Sequence, residues 1–316
     1  MNLLREIEDL KKLTGPLHMA IGFFDGVHLG HRAVIDPVLE SSRSQGGDAV
    51  VVTFDPHPGE VLSAREAPRL LTSTFHKVRI FATNLGARNV LVLRFDHDFA
   101  GQTGQEFIES LVGAAESVGG IAGISVGKGW KFGSRRDGNL EMLTALGKKF
   151  GFRVSGVETV QVDGETVSST RIREAVASGN FDLARRLLGR EFTLLGTVVK
   201  GRKLGRTLGF PTANLAVESE QFPPAGVYAV RATGAGDSWE GVGNLGYRPT
   251  VEGAAEELLL EVHLFGLEHE IYGEEIEVEF VSYLRGEKKF DSVDALEEQI
   301  ARDIENAHAI FSSKQG

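Results

Sequence analysis

Histidines 28 and 31 lie in Ile21-Gly-Phe-Phe-Asp-Gly-Val-His-Leu-Gly-His31, behind a short apolar run and ahead of a helical pattern. Their spacing of three puts both imidazoles on one face of a first helical turn. Gly22, Gly26 and Gly30 let backbone come close to a ligand, with Phe23 and Asp25 completing the turn. A helix N-terminus adds unpaired amides and the positive end of its dipole, favouring an anion by roughly 0.3–1 kcal/mol per exposed charge. Such a turn suits phosphate oxygens, and imidazoles converging there can stabilise a pentavalent phosphorus. A His-x-x-His pair is also a zinc or plain surface pattern; the glycines and the strand-to-helix setting favour the anion. No Gly-x-x-x-x-Gly-Lys-Ser/Thr segment occurs, which argues against a P-loop.

A second constellation is Gly196-Thr-Val-Val-Lys-Gly-Arg-Lys-Leu-Gly-Arg-Thr-Leu-Gly-Phe-Pro-Thr-Ala-Asn-Leu215. Gly201, Gly205 and Gly209 recur four apart among Lys200, Arg202, Lys203 and Arg206. A cationic glycine loop can wrap phosphates with its amides. Thr212 and Asn214 offer uncharged oxygens in a turn stiffened by Pro211, a donor set that Mg²⁺ accepts together with phosphate and water. Two further segments have bland readings when taken alone. Ser168-Ser-Thr-Arg171 reads as a helix N-cap, and Glu261 in Leu260-Glu-Val-His-Leu264 as an exposed sheet carboxylate.

These residues need elements to hold them. Apolar runs at Met19–Phe23, Ala49–Phe54, Val90–Phe95, Ile121–Val126 and Phe152–Val160 predict strands. Between them, Thr74–Asn84, Gln105–Ala115 and Asn139–Phe150 carry helical spacing. Alternation of strand and helix predicts a doubly wound parallel sheet, with ligands at the carboxyl ends of strands. From about Phe192 the period falls to two, in Leu260–Phe265 and Glu275–Phe280, which predicts a small antiparallel barrel or sandwich. A helix over Asp182–Leu188 precedes this change, and one from Ser292 to Phe311 closes the chain, with Ser292 as its N-cap. The predicted domains are 1–189 and 190–316.

Composition narrows the function. A net charge of −10 argues against a nucleic-acid binder but allows a local basic loop. With no cysteine, disulfides, thiolate zinc sites and thiol catalysis are excluded, and a reducing cytoplasm fits. The N-terminus bears acids and has no signal-peptide pattern, and no apolar run reaches membrane-spanning length.

Taken in order, the motifs resemble a known family. Gly22–His31 is similar to the His-x-Gly-His signature of adenylyl- and cytidylyltransferases. Thr53-Phe-Asp-Pro-His-Pro58 and Ser168-Ser-Thr-Arg-Ile-Arg173 resemble its companions in bacterial bifunctional riboflavin kinase/FAD synthetases. The Pro211-Thr-Ala-Asn214 turn, Gly226-Val-Tyr-Ala229, Gly243-Asn-Leu-Gly-Tyr-Arg-Pro-Thr250 and Leu260–Leu264 resemble that family's kinase half. The resemblance implies an N-terminal Rossmann-like FMN adenylyltransferase and a C-terminal riboflavin kinase, using ATP with Mg²⁺ at two sites and small-molecule flavins as substrates. It implies that His28, His31, Ser168, Ser169, Thr170 and Arg171 meet nucleotide phosphates, as do Gly201, Lys203, Gly205 and Gly209. It also implies Glu261 as catalytic base, Thr212 and Asn214 at the metal, and flavin contacts at Phe54, Pro56, Arg136, Arg285 and Phe290. One stretch departs from the pattern: Gly129 stands where an Asp or Asn is expected and Trp130 where a Phe is. This departure motivates one alternative, a kinase with a degenerate adenylyl domain; a second is a non-catalytic flavin- or nucleotide-binding regulator.

Overall fold

The apolar runs form strands because both of their faces are buried. In β3 (Asp48–Asp55), Val50 and Val52 pack into one core cluster and Val51 into another, and all three have no exposed surface. A strand covered on both sides belongs in the middle of a parallel sheet. The computed structural model describes residues 1–62, 67–201, 209–219, 221–248 and 257–313, with the chain dividing by contacts into two units.

The first unit comprises Met1–Leu70 and Thr74–Ser169. The six strands of its main sheet are β1 (Asn2–Leu4), β2 (Leu17–Ile21), β3, β4 (Asn89–Arg94), β5 (Ile121–Gly127) and β6 (Arg153–Val157). They pair all-parallel in the order β1-β4-β3-β2-β5-β6. The chain runs outward on one side of β2 through β3 and β4, then crosses back to β5. The strand order therefore reverses at the β2/β5 pair, the place where sheets of this kind bind ligands beyond the carboxyl ends of their strands. The loops leaving these two strands are Gly22–His28 and Lys128–Asn139. Helix α1 (Leu29–Gln45) follows β2. It is followed in order by α2 (Pro58–Leu62), α3 (Thr74–Leu85), α4 (His97–Gly101), α5 (Gly104–Ala115) and α6 (Leu140–Phe150). The Asn139 side chain accepts from the Met142 amide at 2.9 Å and so caps α6, a contact worth about 1 kcal/mol. The strands match expectation to within three residues at each end, the largest differences being that β2 ends at Ile21 rather than Phe23 and β6 at Val157 rather than Val160. Edge strand β1 has no alternating run to announce it; it is set by its register with Asn89–Leu91.

The second unit comprises Leu71–Ser73 and Thr170–Gly316. It holds a closed antiparallel barrel, which in order around the wall is Ala213–Val217 (β10), Glu257–Leu264 (β13), Asp237–Arg248 (β12), Gly226–Gly234 (β11), Glu275–Arg285 (β14) and Thr193–Val199 (β9). A separate two-stranded ribbon that closes the first unit, Gln161–Val162 (β7) with Glu165–Thr166 (β8), precedes α7 (Ser169–Ala177) and α8 (Phe181–Leu188) in the chain. By contact, residues from Thr170 on group with the barrel, so this division falls upstream of the change of texture at Phe192. The reason is packing: Phe181 of α8 lies within 6.5 Å of the Phe192, Tyr228 and Phe280 rings. The terminal helix α9 (Val293–Ser313) buries Ala307 and Phe311 against Ala229, and Ser292 caps it through the Ala295 amide at 3.2 Å.

Candidate active sites

At the end of β2 the backbone makes a turn that most residues avoid. Phe24 (φ 57°) and Val27 (φ 44°), both buried, lie in the left-handed region on either side of Gly26 (φ 79°). For a β-branched valine this is strained, and strain of this kind persists only where surrounding contacts fix it. Those contacts are specific. The Gly22 amide donates to Val52 carbonyl at 3.1 Å. The Phe23 carbonyl accepts from Thr53 Oγ1 at 2.8 Å and from Lys77 Nζ at 2.9 Å. The carbonyl of buried Asp25 accepts from Ser169 Oγ at 3.0 Å, which brings the start of the Ser168–Arg171 segment to the glycine turn.

His28 is the N-cap of α1, its Nδ1 accepting from the His31 amide at 3.3 Å. The two imidazoles stack with centroids 3.5 Å apart and planes within 15°. Gly30 permits this, since a Cβ there would lie 3.1 Å from His28 Cε1. Burial, then the neighbouring charges of His28 and Lys77, hold His31 well below the usual imidazole value. It is neutral at pH 7 and acts as a hydrogen-bonding group. Its Nδ1 is sequestered from solvent and meets no hydrogen-bond partner among the described residues. A buried polar atom left in this way suits a ligand that brings the missing partner.

The other residues singled out in the N-terminal half of the sequence divide. Ser168 precedes α7, and Thr170 and Arg171 lie in its first turn. Phe54 spends its ring on the core, 5.8–6.3 Å from those of Phe95, Phe99 and Phe107. Pro56 follows a cis peptide, and Arg136 lies exposed on the loop after β5. Trp130 stacks on Phe132 at 4.2 Å, and Lys128 pairs with Glu158 on the surface. A Cβ at Gly129 would meet none of the described residues within 4 Å.

In the barrel, alternation puts Leu260, Val262 and Leu264 in the interior and half-buried Glu261 and His263 on the other face. Register then sets Glu261 directly between Asn214 of β10 and Asn244 of β12. His263 Nδ1 donates to Pro211 carbonyl at 2.8 Å and fixes the Pro-Thr-Ala-Asn turn beside it. Asn214 is buried, and its Oδ1 has no hydrogen-bond partner among the described residues. Gly201 lies so close to the Asn214 amide that a Cβ would fall 2.3–2.6 Å from its atoms. A cavity of about 200 Å³ adjoins the turn, with Thr212, Ala213, Leu264, Ile271 and Tyr272 in its wall. Gly209 leads into the turn, whereas Lys203 and Gly205 fall outside the described residues. Arg285 is committed to buried Asp303, with Nε 2.9 Å and Nη2 2.8 Å from Oδ2, and its guanidinium lies 5.7 Å from the Phe290 ring centroid.

Three residues escaped the sequence reading. Asn244 joins Glu261 only through barrel register. Asp303 needs the packing of α9 to reach Arg285. Lys77 did leave a signal, a cation three and four residues before the fully buried Ile80 and Phe81 on an apolar helix face.

A doubly wound domain with a strained glycine turn at its switch point, followed by a barrel carrying a carboxylate between two asparagines, defines a two-part nucleotide-using enzyme. Comparison with known proteins agrees. An FAD synthetase family model matches residues 10–171 and a riboflavin kinase model residues 188–311. The chain is 39% identical to the bifunctional riboflavin kinase/FMN adenylyltransferase of Haemophilus influenzae, covering 99% of this chain and 100% of that one. It is also 39% identical to the Escherichia coli enzyme of the same description, over 98% of each. A crystal structure from Streptococcus pneumoniae, described as a macrolide-efflux protein, superposes with a TM-score of 0.79 at 29% identity, over 98% of this chain and 99% of that one. Among the described residues, no helix of the present chain is long and apolar enough to cross a membrane. The chain belongs to the bifunctional riboflavin kinase/FMN adenylyltransferase family.

Proposed function

We propose that the chain phosphorylates riboflavin to FMN in its barrel and adenylylates FMN to FAD in its parallel domain, in the cytoplasm and with ATP in both steps. The single observation that best supports this reading is the pair of sites, each with a buried polar atom awaiting a ligand: His31 Nδ1 and Asn214 Oδ1.

In the kinase step Glu261 takes the proton of the terminal ribityl hydroxyl. That oxygen bonds to the γ-phosphorus of ATP as the bond to ADP breaks. A positioned base contributes typically ~10²–10⁴-fold. Asn214 and Asn244 flank Glu261 on the neighbouring strands. Asn214 Oδ1 and the Thr212 hydroxyl fit Mg²⁺, which when bound would neutralise phosphate charge. Pro211, held by His263, keeps these donors in place.

In the adenylyl step a phosphate oxygen of FMN attacks the α-phosphorus of ATP and pyrophosphate leaves. Stacked His28 and His31, with the amides at the start of α1, face the charge that builds on the phosphorus oxygens. Ser168, Ser169, Thr170 and Arg171 hold the phosphates, and Arg136, Arg285 and Phe290 contact flavin in their respective sites.

The test is a product assay. Purified protein with riboflavin, ATP and Mg²⁺ is expected to yield FMN first and FAD after it. FMN alone would instead support a kinase with an impaired adenylyl site, the reading that Gly129 favours. Neither product would overturn both readings.

A further inference from the structure

Lys77, on α3, is the largest fully buried side chain among the described residues of the first unit, at 1% exposed, and the reaction proposed above does not use it. Its ammonium does two things to one residue. It donates to the Phe23 carbonyl at 2.9 Å, and it lies 3.9 Å from the centroid of the Phe23 ring. Phe23 is thus held by backbone and side chain at once, between Gly22 and the left-handed Phe24. The same carbonyl takes a second bond from Thr53 of β3, and the Phe23 ring meets His57 edge-on at 4.3 Å.

We propose that Lys77 is a positioning residue for adenylyl transfer, fixing the strained turn that carries Asp25 and leads into His28. The proposal rests on the reading of this turn as the adenylyl site. Burying an ammonium is unfavourable without partners, and an apolar side chain would fill the same helix face with no such penalty. The cation is retained where it grips a turn whose own dihedrals favour opening.

The groups that face Lys77 are the carboxylates of Asp25 and Asp55 and, across the turn, His31, which is stacked on His28. Burial pulls the Lys77 ammonium down from 10.5 to about 8, while the two carboxylates push it back up. Below that value Lys77 donates to Phe23; above it the charge and its hold on the ring are lost. Because the folded value lies below the unfolded one, the contribution of this group to stability grows as pH rises from about 8 to 10.5. An alkaline loss of activity through Lys77 is therefore distinct from alkaline unfolding.

The experiment follows FMN conversion to FAD at saturating ATP and Mg²⁺ from about pH 6.5 to about 9.5, with riboflavin phosphorylation by the same preparation as internal control. Wild-type kcat for FAD formation should fall as pH rises through about 8, with no matching fall in the kinase reaction. In Lys77→Met that kcat should drop roughly 10- to 100-fold, as loss of a charged hydrogen bond predicts, and the alkaline limb should vanish while the kinase rate stays unchanged. Lys77→Met with wild-type kcat, or with the same limb, would overturn the proposal. Should that variant fail to fold, the wild-type profile decides alone, and a flat kcat through pH 8 overturns it. Wild-type protein that makes no FAD at any pH would overturn the site reading beneath it, and the proposal with it.

Discussion

At residue scale, each site depends on a few atoms held against their ordinary preferences. His31 stays neutral because burial outweighs its basicity, and Phe24 and Val27 adopt left-handed dihedrals because the turn around them is bonded on both sides. Gly129 is the contrary case. No described residue lies within 4 Å of where its Cβ would be, and its φ is an ordinary one. Gly129→Asn therefore introduces no clash with them and adds a polar side chain on the loop that leaves β5 at the β2/β5 switch point. The expected result is a higher rate of FAD formation, by about 2- to 10-fold if one neutral hydrogen bond of roughly 0.5–1.5 kcal/mol is gained. Steady-state kinetics with FMN as substrate would check it, and an unchanged rate would mean that no ligand group lies within reach of residue 129.

At the scale of elements, positions in one strand or helix are made functional by a neighbour. Glu261 sits between Asn214 and Asn244 because β13 is registered between β10 and β12. A slip of one residue would turn Glu261 to the barrel interior and Leu260 outward. Helix α9 acts in the same way on Arg285, whose guanidinium is gripped by Asp303, itself also bonded to Gln299 at 2.9 Å. Asp303→Asn removes the charge of a buried partner. Arg285 keeps some exposure, so the loss should sit near the low end of the roughly 3–5 kcal/mol typical of broken buried pairs. Thermal unfolding would read that loss. The KM for riboflavin should rise with it if Arg285 lines the flavin pocket, and an unchanged KM in folded protein would remove Arg285 from that pocket.

At the scale of the molecule, the two proposed reactions belong to different motifs on different folds. Glu261→Ala is expected to abolish FMN formation from riboflavin while leaving FAD formation from added FMN. His28→Ala is expected to do the reverse. Chromatographic separation of flavins after each reaction checks both. Loss of the two activities together in either variant would show that the sites do not work independently.

Much of this was legible in the sequence because it is local. Glycine spacing, the Pro-Thr-Ala-Asn turn, strand-helix alternation and the change of period near Phe192 depend on neighbours a few residues apart. They determined the two fold classes, the order of the motifs and the candidate residues His28, His31, Thr212, Asn214 and Glu261. What only the tertiary structure decided is long-range. The Phe23 carbonyl meets Lys77, 54 positions away, and Ser169 reaches Asp25 across 144. Asn244 becomes the neighbour of Glu261 through barrel register, and Phe54 is taken by the core. Such contacts depend on how strands order and helices pack, so a chain read residue by residue shows the chemical groups but not which of them meet.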